Sequence, residues 1–122
     1  MADSGSWTKS PAELAEAFAA AMAAFPEAQQ RKMFGYPAAF LNGNMVTGLH
    51  QSNWVVRLAP PDLEALMAEG GRPFEPMAGR PMTGFATLPA AVLSDPKALG
   101  GWLQRAYRHA ATMPPKEPAK RR

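Results

Sequence analysis

The dipeptide Asn42-Gly43 constrains the fold more than any other feature of the sequence, because it stands between two short apolar segments. Asn-Gly between such segments is a strong signal for a two-residue β-hairpin turn. We therefore predict antiparallel strands over residues 36–41 and 45–51. Ser52-Asn53 predicts the next tight turn, which leads into a third strand over residues 54–59. The segment is predicted to be a β-meander.

Two-residue loops also determine the register of this meander. They give one face six residues that we assign to the core: Phe40 opposite Met45, Leu49 opposite Val56, and Thr47 opposite Leu58. The opposite face is smaller and more polar, and it carries Ala39, Val46, Gly48, His50, Val55 and Arg57. Alternation of this kind is typical of an antiparallel sheet that is covered on one side only.

Capping residues predict helices at both ends of the chain. Ser10 is a good N-cap for a first helix, and Pro26 ends that helix. A last helix begins at Asp95-Pro96, which combines a cap with a proline at the first helical position, and it ends near Met113.

Between the meander and the last helix, the sequence predicts a short helix and two further strands. The helix covers residues 61–69, and the strands cover residues 74–77 and 81–88. The complete order predicts an α+β fold in two layers, with an antiparallel β-sheet of about five strands and the N- and C-terminal helices packed on one face.

A length of 122 residues suggests one domain. We expect a flexible N-terminus over residues 1–9, a single domain over residues 10–113 and a disordered basic tail over residues 114–122. The net charge of +3 belongs to that tail, which contains four basic residues and one acid: Lys116, Lys120, Arg121, Arg122 and Glu117. The body is therefore formally neutral and lacks the large excess of Lys and Arg that phosphate binding needs.

The composition excludes several kinds of site. Cysteine is absent, so disulfides, thiol chemistry and cysteine-based zinc sites are impossible.

The longest apolar run, residues 17–26, is far shorter than the ~18–20 residues that span a bilayer. Glu13 and Glu16 precede this run, which argues against a secretory signal. We expect a cytoplasmic protein that does not bind membranes.

Motifs for catalysis or cofactor binding are missing from the sequence. The two histidines, His50 and His109, do not have metal-ligand spacing, and the serines belong to no nucleophile motif. No P-loop and no dinucleotide-binding fingerprint is present. We therefore predict a protein that is not an enzyme and that uses no metal and no cofactor.

His50, Arg57 and Gly48 form a candidate surface for a ligand or partner. In the predicted register His50 lies one diagonal step from Arg57, and Gly48, directly opposite Arg57, leaves room above the sheet. A small anionic ligand or a partner's carboxylate would fit there. The alternative is an ordinary surface pair that binds nothing.

Six basic residues are candidate phosphate contacts: Arg31, Lys32, Arg80, Lys120, Arg121 and Arg122. Together they would make a discontinuous phosphate-binding surface. Attraction by the tail alone would be independent of nucleic-acid sequence and would be lost with salt. The alternative for the residues of the body is structural: the entry from helix to strand for Arg31-Lys32, and a hairpin turn for Arg80.

Several short segments of the chain carry a family resemblance. They are RKMFGYPAAFLNGNM at residues 31–45, GLHQ at 48–51, Arg57-Leu58, RPFEPM at 72–77 and GRPM at 79–82. In this order and spacing they resemble the TfoX/Sxy N-terminal domain family of bacterial proteins, and more closely its short stand-alone members. The resemblance covers about residues 30–116. It implies an α+β fold and kinship with the competence regulator TfoX, which acts on gene expression, and it implies no catalytic residues.

These observations favour a small, non-enzymatic bacterial domain used for regulation or protein interaction, with a protein as its partner. One alternative is a nucleic-acid-associated protein that uses the basic tail for weak binding. Another is a small-ligand or enzymatic site near His50 and Arg57. The chain is expected to be a monomer, or a homodimer joined through the open sheet face or an edge strand.

Overall fold

The computed structural model describes residues 12–33, 35–75, 79 and 82–115. The helices and strands in these residues are α1 (Ala12–Met22), β1 (Gln29–Met33), β2 (Tyr36–Leu41), β3 (Asn44–His50), β4 (Asn53–Arg57), α2 (Pro60–Ala68), β5 (Arg72–Pro73), β6 (Phe85–Thr87), α3 (Ala90–Leu93) and α4 (Pro96–Thr112). The strands form one antiparallel sheet in the order β1-β2-β3-β4-β6-β5. The predicted α+β class is confirmed, with six strands in place of about five.

The additional strand is β1, an edge strand with the sequence QQRKM, whose first four residues are exposed. It pairs with β2 along its whole length, from Gln29 opposite Phe40 to Met33 opposite Tyr36. Its polar sequence lacks the alternation that predicts a strand, because an edge strand need not bury a complete face. The extended conformation is therefore decided by pairing with β2, and Arg31-Lys32, for which the entry from helix to strand is the structural alternative, lie inside this strand.

The helix at the C-terminal end begins as predicted. Asp95 is the N-cap of α4, and its carboxylate accepts hydrogen bonds from the backbone N–H groups of Lys97 and Ala98. At the other end of the chain, α1 ends at Met22, before the predicted stop at Pro26. The predicted cap Ser10 lies outside the described residues.

The first hairpin is confirmed, but a β-bulge follows it. Asn42 and Gly43 have positive φ angles, 53° and 82°, and Phe40 pairs with Met45. The register then shifts, so that Ala39 pairs with Thr47 and Val46 is an additional residue in β3. A bulge of this kind interrupts the alternation of side chains between the two faces.

The bulge makes part of the predicted core assignment wrong. Phe40 and Met45 do not share a face with Leu49 and Val56. They belong to a separate apolar cluster on the opposite side of the sheet, whereas Ala39 and Val46 join the main core. A one-residue slip moves every side chain beyond it to the other face. The prediction from sequence assumes an unbroken strand. It therefore places Phe40 and Met45 on the core face and Ala39 and Val46 on the opposite face, which is the reverse of the structure.

The second turn differs from the prediction by one position. The turn residues are Gln51 and Ser52, with Gln51 at a φ of 57°, and His50 pairs with Asn53. As a result Leu49 lies opposite Trp54, and Thr47 lies opposite Val56. Because the turn lies one residue earlier, each residue of β3 pairs with a residue of β4 two positions earlier than predicted. Side chains along a strand alternate between the faces with a period of two residues. The faces assigned to this part of the meander are therefore preserved.

The main core lies between the helices and one face of the sheet, which we call the helix-covered face. Phe18 of α1 packs on Trp54 with 5.3 Å between ring centroids. The Trp54 indole Nε1–H donates to Thr47 Oγ1 at 2.9 Å, and that hydroxyl donates to the Val55 carbonyl at 2.7 Å. Each of these buried polar side-chain groups therefore has a partner, as burial requires.

A second contact joins the end of α1 to α4. The Tyr107 ring stacks on Phe25 with 4.1 Å between centroids, and its hydroxyl donates to Met22 Sδ at 3.3 Å. Burial, and after it the charge of Glu27, raises the pKa of Tyr107 to about 12. The phenol is therefore neutral at physiological pH and acts as a packing residue.

The end of the sheet formed by β5 and β6 is shorter than predicted. The predicted strands at residues 74–77 and 81–88 are replaced by Arg72–Pro73 and Phe85–Thr87, which pair with each other. Residues 76–78, 80 and 81 lie outside the described residues. Pro73 is in an edge strand, where a residue without a backbone N–H is tolerated.

Candidate functional site

The side of the sheet away from the main core, which we call the second face, has its own small apolar cluster. Its buried members are Ala38, Met45, Val55, Phe74 and Phe85. Phe74 and Phe85 are only 5% and 3% exposed. Five side chains of this face are therefore buried, although the helices pack on the other face. Basic side chains lie against this cluster from several strands.

Arg57 is the basic residue nearest the middle of the sheet, at the end of β4. Its guanidinium lies 4.6 Å from the centroid of the Phe85 ring, and Nη1 donates to Met113 Sδ at 3.4 Å. Burial lowers the pKa of Arg57 from its usual value, but an arginine stays charged at neutral pH. Among the described residues, the two groups that it contacts are uncharged, so its positive charge can attract an anion.

Arg31 occupies a comparable position on the edge strand β1. It pairs with Ala38, so it points to the second face. Its guanidinium lies 5.0 Å from the centroid of the Phe40 ring, and Nη2 donates to Gln29 Oε1 at 2.9 Å. The neighbouring Lys32 points to the other side of the sheet, since successive strand residues alternate. The structure therefore separates two residues that the sequence reasoning had grouped.

His50 packs beside two aromatic rings, those of Tyr36 and Phe74. The centroid of its imidazole is 5.1 Å from that of Tyr36 and 5.2 Å from that of Phe74. Burial lowers the pKa of His50 from 6.5. The site therefore favours a neutral imidazole that packs as an aromatic ring.

The structure does not bring His50 and Arg57 together. His50 pairs with Asn53, and Arg57 lies four residues further along β4, about 13 Å away along the strand. Gly48 pairs with Val55 and not with Arg57. The predicted geometry is wrong because the second turn is one residue earlier than expected.

The space predicted above Gly48 is also filled. A Cβ atom at this position would lie 2.7 Å from Met45 Cε and 3.2 Å from the Pro37 carbonyl oxygen. Glycine is therefore needed for close packing of the Met45 side chain over β3. The position offers no room for a ligand.

A polar recess lies at the β5 edge of the second face, and the sequence reasoning did not identify it. Its volume is about 360 Å³, and its lining includes Asn53, Arg72, Glu75 and Thr87. Arg72 pairs with Thr87, which pairs in turn with Val55, so Arg72 also belongs to the second face. No short-range pattern connects β5 to β4, which is why the sequence did not reveal this grouping.

The chain after α4 crosses one end of the sheet. The Asn44 side-chain amide donates to the Pro114 carbonyl at 2.9 Å, and Met113 contacts Arg57. Asn44 is only 5% exposed, so its amide needs this partner. These contacts place Pro114 beside the start of β3 and the end of β4. Four candidate phosphate contacts, Arg80, Lys120, Arg121 and Arg122, lie outside the described residues.

Basic and acidic residues are unevenly distributed among the elements of this formally neutral body, and α4, like the strands, carries bases and no acid: Lys97, Arg105 and Arg108. The six strands contain four basic residues and no acid: Arg31, Lys32, Arg57 and Arg72. Helices α1 and α2 contain four acids and no base: Glu13, Glu16, Asp62 and Glu64. Three of the four strand cations point to the second face. This face can therefore attract carboxylates or phosphates, although the body as a whole carries no net charge.

Within the described residues, no three His, Cys, Asp or Glu side chains come together as possible metal ligands. Across residues 12–33, 35–75 and 82–115, no helix combines the length and the apolar character needed to cross a bilayer.

The fold and the site define a small α+β domain that has a helical layer on one face of its sheet and arginine side chains on the other. The family model of the TfoX N-terminal domain matches residues 16–110, from the middle of α1 almost to the end of α4. The chain belongs to the TfoX N-terminal domain family, which is not a known enzyme family. The resemblance seen in the sequence is thus confirmed. A comparison with curated proteins found no match.

Proposed function

We propose that this chain is a non-enzymatic regulatory domain that binds an acidic segment of a partner protein on the second face of its sheet. Membership of the TfoX N-terminal domain family supports a regulatory role. We choose the second face as the binding surface because Arg31, Arg57 and Arg72 lie on it and the strands contain no acid.

The chemistry of this face suits carboxylates. A guanidinium can donate two parallel hydrogen bonds to one carboxylate, which gives both affinity and orientation. The aromatic rings beneath Arg31 and Arg57 restrict the guanidinium groups before a partner arrives. Less side-chain freedom is then lost on binding, which favours association.

Strand β1 offers a matched pair of variants to test this proposal. Arg31→Glu reverses a charge on the second face, and Lys32→Glu makes the same change one residue away on the other side of the sheet. Tagged proteins would be used to capture partners from nuclease-treated lysate of the native cell. We expect Arg31→Glu to lose a salt-sensitive partner that the wild type and Lys32→Glu both retain. Equal capture by all three proteins, or equal loss by both variants, would contradict the proposal.

Nucleic-acid binding through the basic C-terminal residues is a second candidate. The contacts of Met113 and Pro114 favour it, because they start this segment beside Arg57 at the end of the sheet. A chain that ends at Pro115 keeps both contacts and removes Lys116, Lys120, Arg121 and Arg122. For this candidate, truncation should weaken binding to duplex DNA and reduce its dependence on salt concentration. Unchanged affinity and salt dependence would exclude the tail as the binding segment.

The third possibility, one small-ligand or enzymatic site that uses His50 and Arg57 together, receives no support from the geometry. Their separation along β4, the packing of His50 beside two rings and the filled space at Gly48 all oppose it.

A further inference from the structure

The polar recess at the β5 edge of the second face is built from side chains of three strands and of the loop that follows β5. Arg72 pairs with Thr87, and Thr87 pairs with Val55, so these residues lie side by side in one row across the sheet. Asn53 precedes Val55 by two residues on β4, so its side chain points to the same face. Asn53 and Arg72 are exposed and Thr87 is partly exposed. A solute can therefore reach the recess from solvent.

Two opposite charges line this recess. Arg72 supplies a guanidinium and Glu75 supplies a carboxylate, and both side chains are exposed. Their Cα atoms are three residues apart along the chain, which is at most about 11 Å. In the described part of the chain no hydrogen bond joins the two groups, and Glu75 Oε1 makes one long contact, accepting from the Gly79 backbone N–H at 3.4 Å. The two charges therefore face one small volume without pairing with each other.

This pair of charges selects among ligands. A plain anion that approaches Arg72 meets the carboxylate of Glu75, and a plain cation meets the guanidinium, so the recess suits neither. A small molecule with one carboxylate and one ammonium group satisfies both, since a guanidinium donates two parallel hydrogen bonds to a carboxylate and an ammonium group donates to the other acid. The Asn53 amide and the Thr87 hydroxyl add neutral donors and acceptors beside these charges.

The size and the apolar part of the lining restrict the ligand further. The volume of about 360 Å³ is near the lower end of the ~300–1,000 Å³ that is usual for ligand pockets. Pro73 and Phe74 supply the apolar lining. Phe74 is 5% exposed, and its ring centroid lies 5.2 Å from that of His50, so this wall is held in place before a ligand arrives. A free amino acid combines the two charges with one small side chain.

We propose that the polar recess binds a free α-amino acid, with the carboxylate of the ligand on the Arg72 guanidinium and its ammonium group on the Glu75 carboxylate. The Asn53 amide and the Thr87 hydroxyl supply further hydrogen bonds. This site takes a small molecule and needs neither Arg31 nor Arg57, so the proposal goes beyond the proposed function and does not depend on it.

Nuclear magnetic resonance of the full chain can test the site directly. The isotope-labelled protein would be titrated with each of the common L-amino acids in turn. We expect at least one of them to shift the backbone amide signals of Asn53, Arg72, Glu75 and Thr87 saturably. The amide of that amino acid lacks the carboxylate, and its N-acetyl derivative lacks the ammonium group. Each derivative should bind about tenfold more weakly or worse, because a charged hydrogen-bond partner is lost.

The row of residues that contains Arg72 supplies a matched control variant. It ends at Arg31 on the opposite edge of the sheet. Arg72→Gln and Arg31→Gln therefore remove the same charge from the same face, but only the first changes the recess. Arg72→Gln and Glu75→Gln should each weaken binding about tenfold or more, whereas Arg31→Gln should leave the affinity unchanged.

The two derivatives also assign each charge of the ligand to its partner. The amide should bind the wild type and Arg72→Gln equally, and the N-acetyl derivative should bind the wild type and Glu75→Gln equally.

Several outcomes would overturn the proposal. One is that no amino acid gives a saturable shift at millimolar concentration, and another is that the shifts are confined to residues outside the recess. Equal weakening by Arg31→Gln and Arg72→Gln would show that the response follows the charge of the whole face. If acetate binds as tightly as the amino acid, the recess takes plain anions and Glu75 has no role in it.

Discussion

The two faces of this sheet are covered in different ways. The helix-covered face is buried by α1 and α4, which come from opposite ends of the chain and enclose residues such as Trp54 and Val56. The second face carries a smaller buried cluster of its own, with Phe85 under the Arg57 guanidinium. The helix-covered face therefore supplies most of the apolar burial, whereas the second face holds positive charge beside a small apolar cluster.

The largest expected effect is on the helix-covered face. Phe18 is 1% exposed and packs on Trp54, so Phe18→Ala removes a complete buried ring and leaves a cavity. We expect the free energy of unfolding to fall by about 3–5 kcal/mol, as measured by urea denaturation. Phe40→Ala removes the same ring from the second face, where the side chain is only partly buried. It should cost clearly less, and equal losses would contradict the comparison of the two faces.

The next effect concerns the polar contact inside the main core. Thr47→Val preserves the shape of the side chain but removes the hydroxyl that accepts from the Trp54 indole. The buried N–H then has no partner, so we expect a loss of about 1–3 kcal/mol in unfolding free energy. Thr87→Val is the control, because its hydroxyl is on a partly exposed strand and makes a long 3.5 Å contact. If Thr87→Val lowered the unfolding free energy as much as Thr47→Val, burial of the hydroxyl would not explain the effect.

The close packing of the second face can be tested at Gly48. Gly48→Ala places a methyl group where Met45 Cε now lies, and we expect a loss of about 1–2 kcal/mol, because overfilled cores are strained. Shortening the neighbour should relieve that strain, so adding Gly48→Ala to a Met45→Ala chain should cost less than adding it to the wild type. A double-mutant cycle in chemical denaturation measures this difference. An additive result would show that Met45 is not the obstacle.

The smallest effect concerns the pH dependence of stability at His50. Since burial lowers the pKa of the folded state below 6.5, the unfolded chain binds the proton more readily. Stability should be unaffected by this group above pH 6.5 and should decrease as the pH falls from there through the lower folded pKa. His50→Gln should flatten the decrease in melting temperature over that window. An unchanged slope would show that His50 is not packed as a neutral ring.

Local chemistry explains what could be predicted. The Asn42-Gly43 turn and the Asp95 cap act within a few residues, so they were recognisable in the sequence and the structure confirms them. The bulge at Val46 was not recognisable, since no residue there demands it. Its effect was to exchange Phe40 and Met45 with Ala39 and Val46 between the two faces.

The candidate site was predicted only in part. His50 and Arg57 do lie on one face, but the distance between them depends on the register of β3 with β4. The second turn lies one residue earlier than predicted, so this register differs from the predicted one by two residues. Arg31 and Arg72 join the same face through pairing of β1 with β2 and of β5 with β6. Neither pairing follows from alternation, because β1 is polar and β5 has only two residues.

The sequence by itself determined the family, the α+β class and the places where the main turns and the last helix begin. Such signals depend on the backbone preferences of a few neighbouring residues. Only the tertiary structure decided that three of the four strand cations, Arg31, Arg57 and Arg72, lie on one side of the sheet, and that α1 and α4 leave an apolar groove between them. Those arrangements depend on which distant strands and helices pack together, and that is set by the burial of the whole core.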